Sequence, residues 1–331
     1  MDLSIIICTY NPDQKVFGKC LNAIRSLRTD GINIEVIIVD NNSSTPLSSL
    51  EYVAEFLNEV SCSRLIIERN QGLSHARIAG FHSSSGDKII FFDDDNEPFS
   101  DYVVKAKEIL DNRPFVGIMG PGQINVEYID GVDPWISQHL NKYFQEKNQE
   151  REEYVLSIVS WAPCYPPGTG QIIRRFVFES YLEMFLKKKL KTLDRYGESL
   201  SSGGDSQMIW SSINLNYAVG HHPDLRLNHL IPKKRANLKY IKRLSYYLDL
   251  SGRMAFAEMY PDKSGSLPQF KTSTFLYDLF KVYFNGVKNK QIKSININVW
   301  GLIGRNQAYI NIAGNTPPFL FKTVKRLLSV S

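Results

Sequence analysis

Short apolar segments alternate with amphipathic ones through the first third of the chain. The uninterrupted apolar segments have the length of buried strands, at residues 3–8, 34–39, 65–68 and 88–92. Between them, apolar residues recur at the spacing of one helix face, at residues 16–27, 47–60 and 73–81. Strands that alternate with helices form right-handed βαβ units. We therefore expect an α/β fold with a mostly parallel, Rossmann-like sheet between layers of helices.

The alternation continues less regularly to about residue 235. Further helices are predicted at residues 102–110, 176–187 and 204–213, and further strands at 116–119, 171–174 and 217–220. The polar and aromatic segment 130–153 is expected to be a variable excursion. Beyond His229 the βα rhythm stops. The pattern thus predicts a domain over residues 1–235 and a mainly helical extension over residues 236–331.

Composition narrows the class of protein. Of 331 residues, 43% are hydrophobic and 22% charged, which is ordinary for a globular chain. The four cysteines lack CxxC spacing, which argues against a zinc site or a disulfide framework. The chain begins with a strand pattern, and its apolar runs are shorter than a membrane span. We expect a cytoplasmic protein without a signal peptide.

The net charge of +5 hides an asymmetry. Residues 230–331 hold 17 Lys+Arg against 4 Asp+Glu, or +13, whereas residues 1–229 hold 22 against 30, or −8. Two segments of this basic region are amphipathic: residues 319–328, and a helical face made by Leu276, Leu279, Phe280, Tyr283 and Val287. Such helices can lie on an anionic membrane surface, here the inner face of the cell membrane. Packing onto the catalytic body or a partner subunit is the alternative.

Three consecutive carboxylates, Asp93, Asp94 and Asp95, follow the fourth predicted strand. The carboxyl ends of parallel strands are where open α/β sheets bind ligands. Without a counter-charge the three groups would repel one another, and a divalent cation such as Mg²⁺ or Mn²⁺ removes that repulsion. Such ions commonly complete their coordination with substrate phosphates. The triplet predicts a metal–diphosphate site, although a solvated acidic turn has the same composition.

Two common nucleotide-binding motifs are missing from the chain. The first predicted strand ends in Thr9-Tyr10-Asn11-Pro12, without the Gly-x-Gly-x-x-Gly fingerprint of dinucleotide-binding folds. The Gly-x-x-x-x-Gly-Lys phosphate loop is also absent from the sequence. Redox enzymes and ATP hydrolases are therefore disfavoured.

Polar residues after the second strand and on the third helix are candidates for binding a nucleotide. Asp40 could accept the imide N–H of uracil, and Asn42 could contact another edge of a base, although the same residues suit an Asx-turn and helix cap. Arg77 could reach a base or a phosphate through its guanidinium. Alternatively, Arg77 forms an ion pair beneath the Asp93 loop.

Three later features complete the candidate chemistry. Gly168-Thr169-Gly170 would let the backbone approach a ligand closely, or it is a plain turn. Asp205, at a predicted helix start, could deprotonate an attacking hydroxyl or merely cap the helix. His229 is either a further ligand for a metal or diphosphate, or a structural histidine.

Taken in order, these motifs are more specific than any one of them. The chain runs strand-Thr-Tyr-Asn, strand-Asp-Asn-Asn-Ser, Asn-x-Gly-x-x-x-Ala-Arg, strand-Asp-Asp-Asp, Gly-Thr-Gly, Gly-Gly-Asp and then His. In this it resembles family 2 glycosyltransferases with the GT-A fold, over residues 3 to about 235. The resemblance implies a nucleotide-binding half at residues 1–120, and an acceptor and catalytic-base half at residues 121–235.

The resemblance also implies roles for residues at the donor. Thr9, Tyr10 and Asn11 would flank the base, Asp40 would hold it, and Arg77 would support base and phosphate. Other donor-binding residues implied are Asn42, Asp94 and Gly170.

On the same resemblance, Asp93 would contact the ribose or a metal-bound water, Asp95 would ligate the metal, and His229 would lie near the diphosphate. Because Asp94 adds a carboxylate to the family pattern, which two aspartates bind the ion stays open. Asp205 matches the base that ends the family's Gly-Glu-Asp, with Gly204 in place of the Glu.

The expected activity is inverting transfer of a sugar from a nucleotide-diphospho-sugar, with UDP as the favoured nucleotide and Mn²⁺ or Mg²⁺ as cofactor. The acceptor would be a saccharide or lipid-linked hydroxyl in polysaccharide or glycolipid biosynthesis, with no nucleic-acid partner. One alternative is a nucleotidyltransferase, which the lack of a Gly-rich basic loop after the first strand disfavours. The other is a non-catalytic carbohydrate- or membrane-binding module.

Overall fold

Strands and helices alternate in the computed structural model much as the sequence predicts. It describes residues 1–159, 161–187, 190–192, 194–197, 199–265 and 267–330. The strands are Leu3–Thr9 (β1), Ile34–Asp40 (β2), Ser63–Ile67 (β3), Lys88–Asp93 (β4), Asn96–Pro98 (β5), Val116–Tyr128 (β6), Lys147–Asn148 (β7), Glu153–Val155 (β8), Gln171–Arg174 (β9) and Ala218–Ile231 (β10).

Helices cover both faces of these strands and make up the C-terminal region. They are Gln14–Arg25 (α1), Glu51–Glu59 (α2), Leu73–His82 (α3), Tyr102–Asp111 (α4), Pro134–His139 (α5), Arg175–Leu186 (α6), Gly204–Asn214 (α7), Leu238–Met259 (α8), Pro261–Ser264 (α9), Thr272–Lys288 (α10), Ile292–Ile312 (α11) and Phe319–Leu327 (α12). Two short 3₁₀ helices lie at Leu47–Ser49 and Asn141–Phe144.

The described strands form one mixed sheet in the order β3-β2-β1-β4-β9-β6-β10-β5, with β7 beside β6 and β8 beside β10. Strands β3, β2, β1 and β4 are parallel, and so are β6 and β10. Strand β9 lies between these two groups and is antiparallel to both of its neighbours. The predicted α/β class is confirmed, with the parallel pairing interrupted at β9.

Burial on both faces of the sheet explains the uninterrupted apolar strands. In β1, Ile5 and Ile7 belong to a core with α1, α2 and α4. Ile6 and Cys8 belong to a second core with α3, α6, α7 and the end of α8. Successive side chains of a strand point to opposite faces, so every position of β1 must be apolar or small.

The register of the parallel strands brings the motifs of the sequence to one edge. Thr9 is opposite Asp40 across β1 and β2, and Cys8 is opposite Asp93 across β1 and β4. The carboxyl ends of three strands are therefore level. The segments that begin at Thr9, Asp40 and Asp93 emerge side by side.

Three predicted boundaries were wrong. The helix expected at 47–60 is a 3₁₀ turn followed by α2. The strands expected at 116–119 and 217–220 continue as β6 and β10, which pair in parallel along their lengths. Gly120, Pro121 and Gly122 interrupt the apolar pattern of β6 and hide its second half. Hydrogen bonding with β10 nevertheless continues through that stretch, with an irregularity between His222 and Arg226.

The expected helical C-terminal region is confirmed. Helix α8 joins it to the sheet, because Phe256 packs in the second sheet core while Tyr246 packs with Phe275 and Phe321 in a separate cluster. The division at residue 235 stays a prediction. Among the described residues, no helix has both the length and the apolar character needed to cross a membrane.

Candidate active site

A cleft opens where β1 and β4 end, and segments distant in sequence line it. The first wall comes from the ends of these strands and from α3. The second wall comes from the segment before α7, from the start of α7 and from the segment after β10. Its polar lining includes Thr9, Tyr10, Asn11, Asn41, Arg77, Asp93, Asp94, Asp95, Asp194, Arg195, Asp205, Lys234 and Arg235.

The loops after β1 and β2 are tied together at the edge of the cleft. Asn11 has a left-handed backbone, with φ of 48°. Its side-chain oxygen accepts hydrogen bonds from the backbone N–H and the hydroxyl of Ser44, at 2.9 and 2.7 Å. Tyr10 beside it is 47% exposed, so its ring is available to a flat partner.

Asp40 and Asn42 take part in the turn that the sequence also allowed. The Asp40 carboxylate is buried and accepts the backbone N–H groups of Ser43 and Leu47, at 2.9 and 3.0 Å. Asn42 is exposed, with φ of 63°. In the described part of the chain, Asn41 rather than either of them lines the cleft. Contacts of Asp40 and Asn42 with a base stay predictions.

Two aspartates of the triplet lack a cationic partner at hydrogen-bond distance among the described residues. Asp94 accepts the Thr9 hydroxyl, and Asp93 is 3.4 Å from the Thr169 hydroxyl. Burial, together with the charges of Asp95 and Asp93, raises the pKa of Asp94 to about 7. Burial and Asp95 also raise the pKa of Asp93. A further cation nearby would therefore favour their ionised forms.

Asp95 is held differently because β5 directs it toward the end of β10. Strands β5 and β10 pair with Asn96 opposite His229, which places Nε2 of His229 near Asp95. The Arg235 guanidinium, just after β10, forms an ion pair with the Asp95 carboxylate. Burial alone would raise the pKa of Asp95, but Arg235 holds it well below its usual range.

The surroundings of His229 fit a divalent cation. Its Nδ1 lies 2.7 Å from the carbonyl oxygen of Phe144, which can only accept a hydrogen bond. Nδ1 therefore carries hydrogen, and a neutral ring presents its Nε2 lone pair. Nε2 is buried without a hydrogen-bond partner and lies 3.4 Å from Asp95 Oδ1. An imidazole and a carboxylate oriented in this way suit Mn²⁺ or Mg²⁺.

The protein alone does not enclose such an ion. Within the described ranges, no group of three or more His, Cys, Asp or Glu side chains could hold a metal. Mg²⁺ typically binds one or two protein carboxylates and takes its other ligands from water and substrate phosphates. Asp95 and His229 therefore fit an ion that binds together with a diphosphate. In this structure the Arg235 guanidinium neutralises the charge of Asp95.

Asp205 faces the cleft from the N-terminus of α7 and shares Arg77 with a second carboxylate. Arg77 Nη1 lies 2.6 Å from Asp205 Oδ1 and 3.0 Å from Asp194 Oδ2. The side chains of Arg77 and Asp194 are only 3% exposed, whereas that of Asp205 is 19% exposed. Arg77 thus forms the buried ion pair that the sequence also allowed. Its contact with a base or phosphate stays a prediction.

Asp194 holds the start of α7. Its Oδ1 accepts the backbone N–H groups of Gly203 and Gly204, at 2.9 and 2.7 Å. A Cβ atom on Gly204 would lie 2.2 Å from Asp194 Oδ2, so the carboxylate fills the space of a side chain at position 204. Burial and the charge of Asp205 raise the pKa of Asp194 to about 6.

The Gly-Thr-Gly segment packs against Asp205. A Cβ atom on Gly168 would lie 2.2 Å from Asp205 Oδ1, so only glycine allows this approach. Gly170 has φ of 68°, and its carbonyl accepts the Tyr102 hydroxyl. A Cβ there would lie 2.6 Å from Leu227. Donor binding by Gly170 stays a prediction, while the close approach expected of this segment occurs at Gly168.

Three residues that line the cleft, Arg235, Asp194 and Arg195, were not predicted from the sequence. Arg235 belongs to the run Lys233-Lys234-Arg235, which counted only toward the net charge of the tail. That run comes soon after His229 in the sequence, and its position could have indicated that Arg235 lies near His229. Asp194 and Arg195 lie in an irregular segment whose pattern predicted no element. Together with Lys234, the two arginines give the cleft cations that suit an anionic ligand.

Comparison with known proteins identifies the family of this chain. Residues 4–182 match the family model described as glycosyl transferase family 2, and the chain therefore belongs to that family. An uncharacterised glycosyltransferase of Nostoc is 28% identical over 181 residues, which cover 54% of this chain and 52% of that protein.

Two further relatives match shorter segments. The dolichol-phosphate mannosyltransferase of Pyrococcus furiosus is 29% identical over 36% of this chain and 32% of its own. The cholesterol galactosyltransferase of Borreliella burgdorferi is 28% identical over 34% of this chain and 28% of its own. The chain thus spans about half the length of the first of these three relatives and a third or less of the other two.

Two solved structures are similar in backbone path. One is S. aureus TarS 1-349 in complex with UDP, with a TM-score of 0.47 and 13% identity over 96% of this chain and 93% of that one. The other is GalNAc-T7 with UDP, GalNAc and Mn²⁺, with a TM-score of 0.49 and 12% identity over 81% of this chain and 51% of that one.

Proposed function

We propose that this chain is an inverting glycosyltransferase that moves a sugar from a nucleotide-diphospho-sugar to an acceptor hydroxyl. The observation that carries the proposal is that two sets of carboxylates, the Asp93–Asp95 triplet and Asp205, line one cleft. On the family resemblance, the triplet would hold the donor and Asp205 would act on the acceptor. Reaction would occur between them.

Asp205 is the proposed general base. It would accept the proton of the acceptor hydroxyl as that oxygen bonds to the anomeric carbon, while the bond from that carbon to the diphosphate oxygen breaks. Attack from the face opposite the leaving group inverts the anomeric centre. General-base assistance typically contributes about 10²–10⁴-fold to the rate. The ion pair with Arg77 holds the Asp205 carboxylate in place at the cleft.

The diphosphate would be held at the Asp95 side of the cleft. Asp95 and His229 fit a Mn²⁺ or Mg²⁺ ion, which when bound would neutralise the charge that develops on the leaving group. Arg235, now paired with Asp95, is close enough to change partner and bind a phosphate oxygen through its guanidinium. Lys234 and Arg195 would add positive charge around the same ligand.

The finer features of the reaction are proposals on narrower grounds. A UDP donor follows from the family resemblance, with Thr9, Tyr10, Asn11 and Asp40 around the base. Two relatives carry names that specify lipid acceptors, dolichol phosphate and cholesterol. We therefore propose a lipid-linked or saccharide acceptor in glycolipid or polysaccharide synthesis, and contact of the basic C-terminal region with the inner face of the cell membrane.

A panel of nucleotide sugars, incubated with the chain and Mn²⁺, tests the activity. Release of nucleoside diphosphate supports the transferase. Release of pyrophosphate would indicate a nucleotidyltransferase, and no release from any donor would indicate a binding module. Asp205→Asn should lose transfer by about 10²–10⁴-fold and retain donor binding. Normal turnover of this variant would exclude Asp205 as the base.

A further inference from the structure

Helix α10 presents a large apolar stripe that no described residue covers. Six side chains on it are between 39% and 66% exposed: Leu276, Tyr277, Phe280, Tyr283, Phe284 and Val287. At about 100° per residue, these positions fall within an arc of about 120° on the helix surface. A separate face packs Phe275, Leu279 and Val282 into the C-terminal cluster. The fold thus anchors α10 by one face and leaves a second apolar face in water.

The side chains at the centre of this stripe differ from those at its edges. Leu276, Val287, Phe280 and Phe284 lie at its centre, and the two phenylalanine rings stack with centroids 6.0 Å apart. The tyrosines lie at its two edges. A tyrosine has an apolar ring and a polar hydroxyl, and it is favoured where hydrocarbon meets water. This arrangement fits a partner surface that is apolar where it meets the phenylalanines and hydrated where it meets the tyrosines.

Positive charge borders the same stripe. Lys281 and Lys288 fall next to its Tyr277 edge, about 20–40° further around the helix. Residues 271–331 contain 9 Lys+Arg and 1 Asp, a net charge of 9 − 1 = +8. Lysines beside an apolar face place their alkyl stems on it and extend their ammonium groups toward phosphate. The charge excess selects an anionic partner.

We propose that α10 is an interfacial helix through which the chain rests on an anionic lipid surface. Its stripe would enter the boundary of the hydrocarbon, with Lys281 and Lys288 at the level of the lipid phosphates. Helix α12 supports the same assignment. Its Phe319 and Leu327 are 84% and 74% exposed, and the Phe321 ring ties it to Phe275 on α10 at 5.1 Å.

The inference rests on the exposed surface and is independent of the proposed glycosyl transfer. It corrects the face of the helix that the sequence pattern assigned to the membrane contact. Leu279, which the sequence pattern placed on that face, packs inward, while Tyr277 and Phe284 join it. The helix would lie in the plane of the membrane surface.

Flotation with vesicles of phosphatidylcholine alone, or with 30% phosphatidylglycerol as the chosen anionic lipid, tests the proposal. The wild-type chain should float with the anionic vesicles at low salt and less at high salt. Phe280→Ser with Phe284→Ser should reduce vesicle affinity by about 10-fold or more, because two exposed rings lose their burial. Lys281→Gln with Lys288→Gln should reduce it by about 5-fold for each lysine, or about 25-fold together.

Matched variants on the catalytic body control for exposed apolar area and for charge. Phe115→Ser with Leu186→Ser removes side chains that are 53% and 63% exposed, and it should leave flotation unchanged. Lys187→Gln with Lys191→Gln, both exposed, should reduce affinity less than the α10 pair. Thermal unfolding of every variant should match the wild type, since these side chains are exposed.

Several results would overturn the proposal. One is a wild-type chain that does not float with anionic vesicles at all, and another is flotation that the α10 substitutions leave unchanged. A further contrary result is a chain that does not bind vesicles but forms a concentration-dependent dimer, which Phe280→Ser with Phe284→Ser dissociates. That result would assign the stripe to contact with a second copy of the chain. None of these results bears on donor turnover in solution, so this test is separate from that of the catalytic function.

Discussion

Substitutions at Asp194 and Gly204 should be energetically coupled. The Asp194 carboxylate pairs with Arg77, and it also occupies the space that a side chain at position 204 would need. Asp194→Ala removes a buried ion-pair partner of Arg77 and the acceptor for two N–H groups at the start of α7. Breaking a buried pair costs about 3–5 kcal/mol, and Arg77 keeps Asp205 as a partner. We therefore expect a loss near the lower limit, about 3 kcal/mol.

Gly204→Glu is the complementary change. In the wild-type background its Cβ would lie 2.2 Å from Asp194 Oδ2, and it would add a like charge. Overpacking of this kind costs about 1–3 kcal/mol. In the Asp194→Ala background the clash disappears, and the new carboxylate lies at a helix N-terminus near Arg77, where negative charge is favourable. The double variant should then be more stable than the sum of the single changes predicts.

Urea unfolding of the four proteins in this double-mutant cycle measures the coupling, which we expect to exceed about 1 kcal/mol in favour of the double variant. Donor turnover should follow the same order, since Arg77 orients the proposed base. Asp249→Ala combined with Gly204→Glu is the control, because Asp249 pairs with Arg253 in α8 and should be additive. Additive effects at positions 194 and 204 would refute this account of how Asp205 is positioned.

Further predictions concern close packing and pH. Gly168→Ala should reduce turnover, because its Cβ would lie 2.2 Å from Asp205, whereas Gly18→Ala, with no neighbour within 4 Å, should not. Burial opposes ionisation of Glu35, yet hydrogen bonds from Ser4, Ser85 and Arg64 lower its pKa to about 2. Its contribution to unfolding free energy should therefore be complete above about pH 4.5 and be lost toward pH 2, and Glu35→Gln should remove that part of the pH dependence. Because the pKa of Asp94 is about 7, protons should compete with Mn²⁺, and Mn²⁺ should raise the melting temperature more at pH 8 than at pH 6. Equal shifts at the two pH values would exclude Asp94 from the ion's surroundings.

The sequence predicted the parts of the site that strand ends position. Parallel strands present their carboxyl ends at the same edge of a sheet. Thr9, Asp40 and Asp93, which each follow or end an apolar strand pattern, could therefore be placed at one edge from the sequence alone. The helix predicted over residues 204–213 also occurs, as α7.

Other parts of the site depend on contacts without a local pattern. Asp194 acts through hydrogen bonds to Gly203 and Gly204 and an ion pair with a residue 117 positions away in sequence. Arg235 meets Asp95 across 140 positions, and only because β5 pairs with β10. Single-sequence periodicity does not report such contacts. Glycines and prolines in β6 likewise concealed a strand that its partner β10 stabilises.

We propose that Asp95 and His229 hold a divalent ion that binds the donor's diphosphate, in a cleft that Asp205 also lines. Anomalous diffraction from a crystal of the full chain, soaked with MnCl₂ and UDP, tests it most directly. We expect a manganese peak within bonding distance of both Asp95 and His229 Nε2, with Arg235 displaced from Asp95. UDP bound without a peak there, with Arg235 still on Asp95, would contradict it.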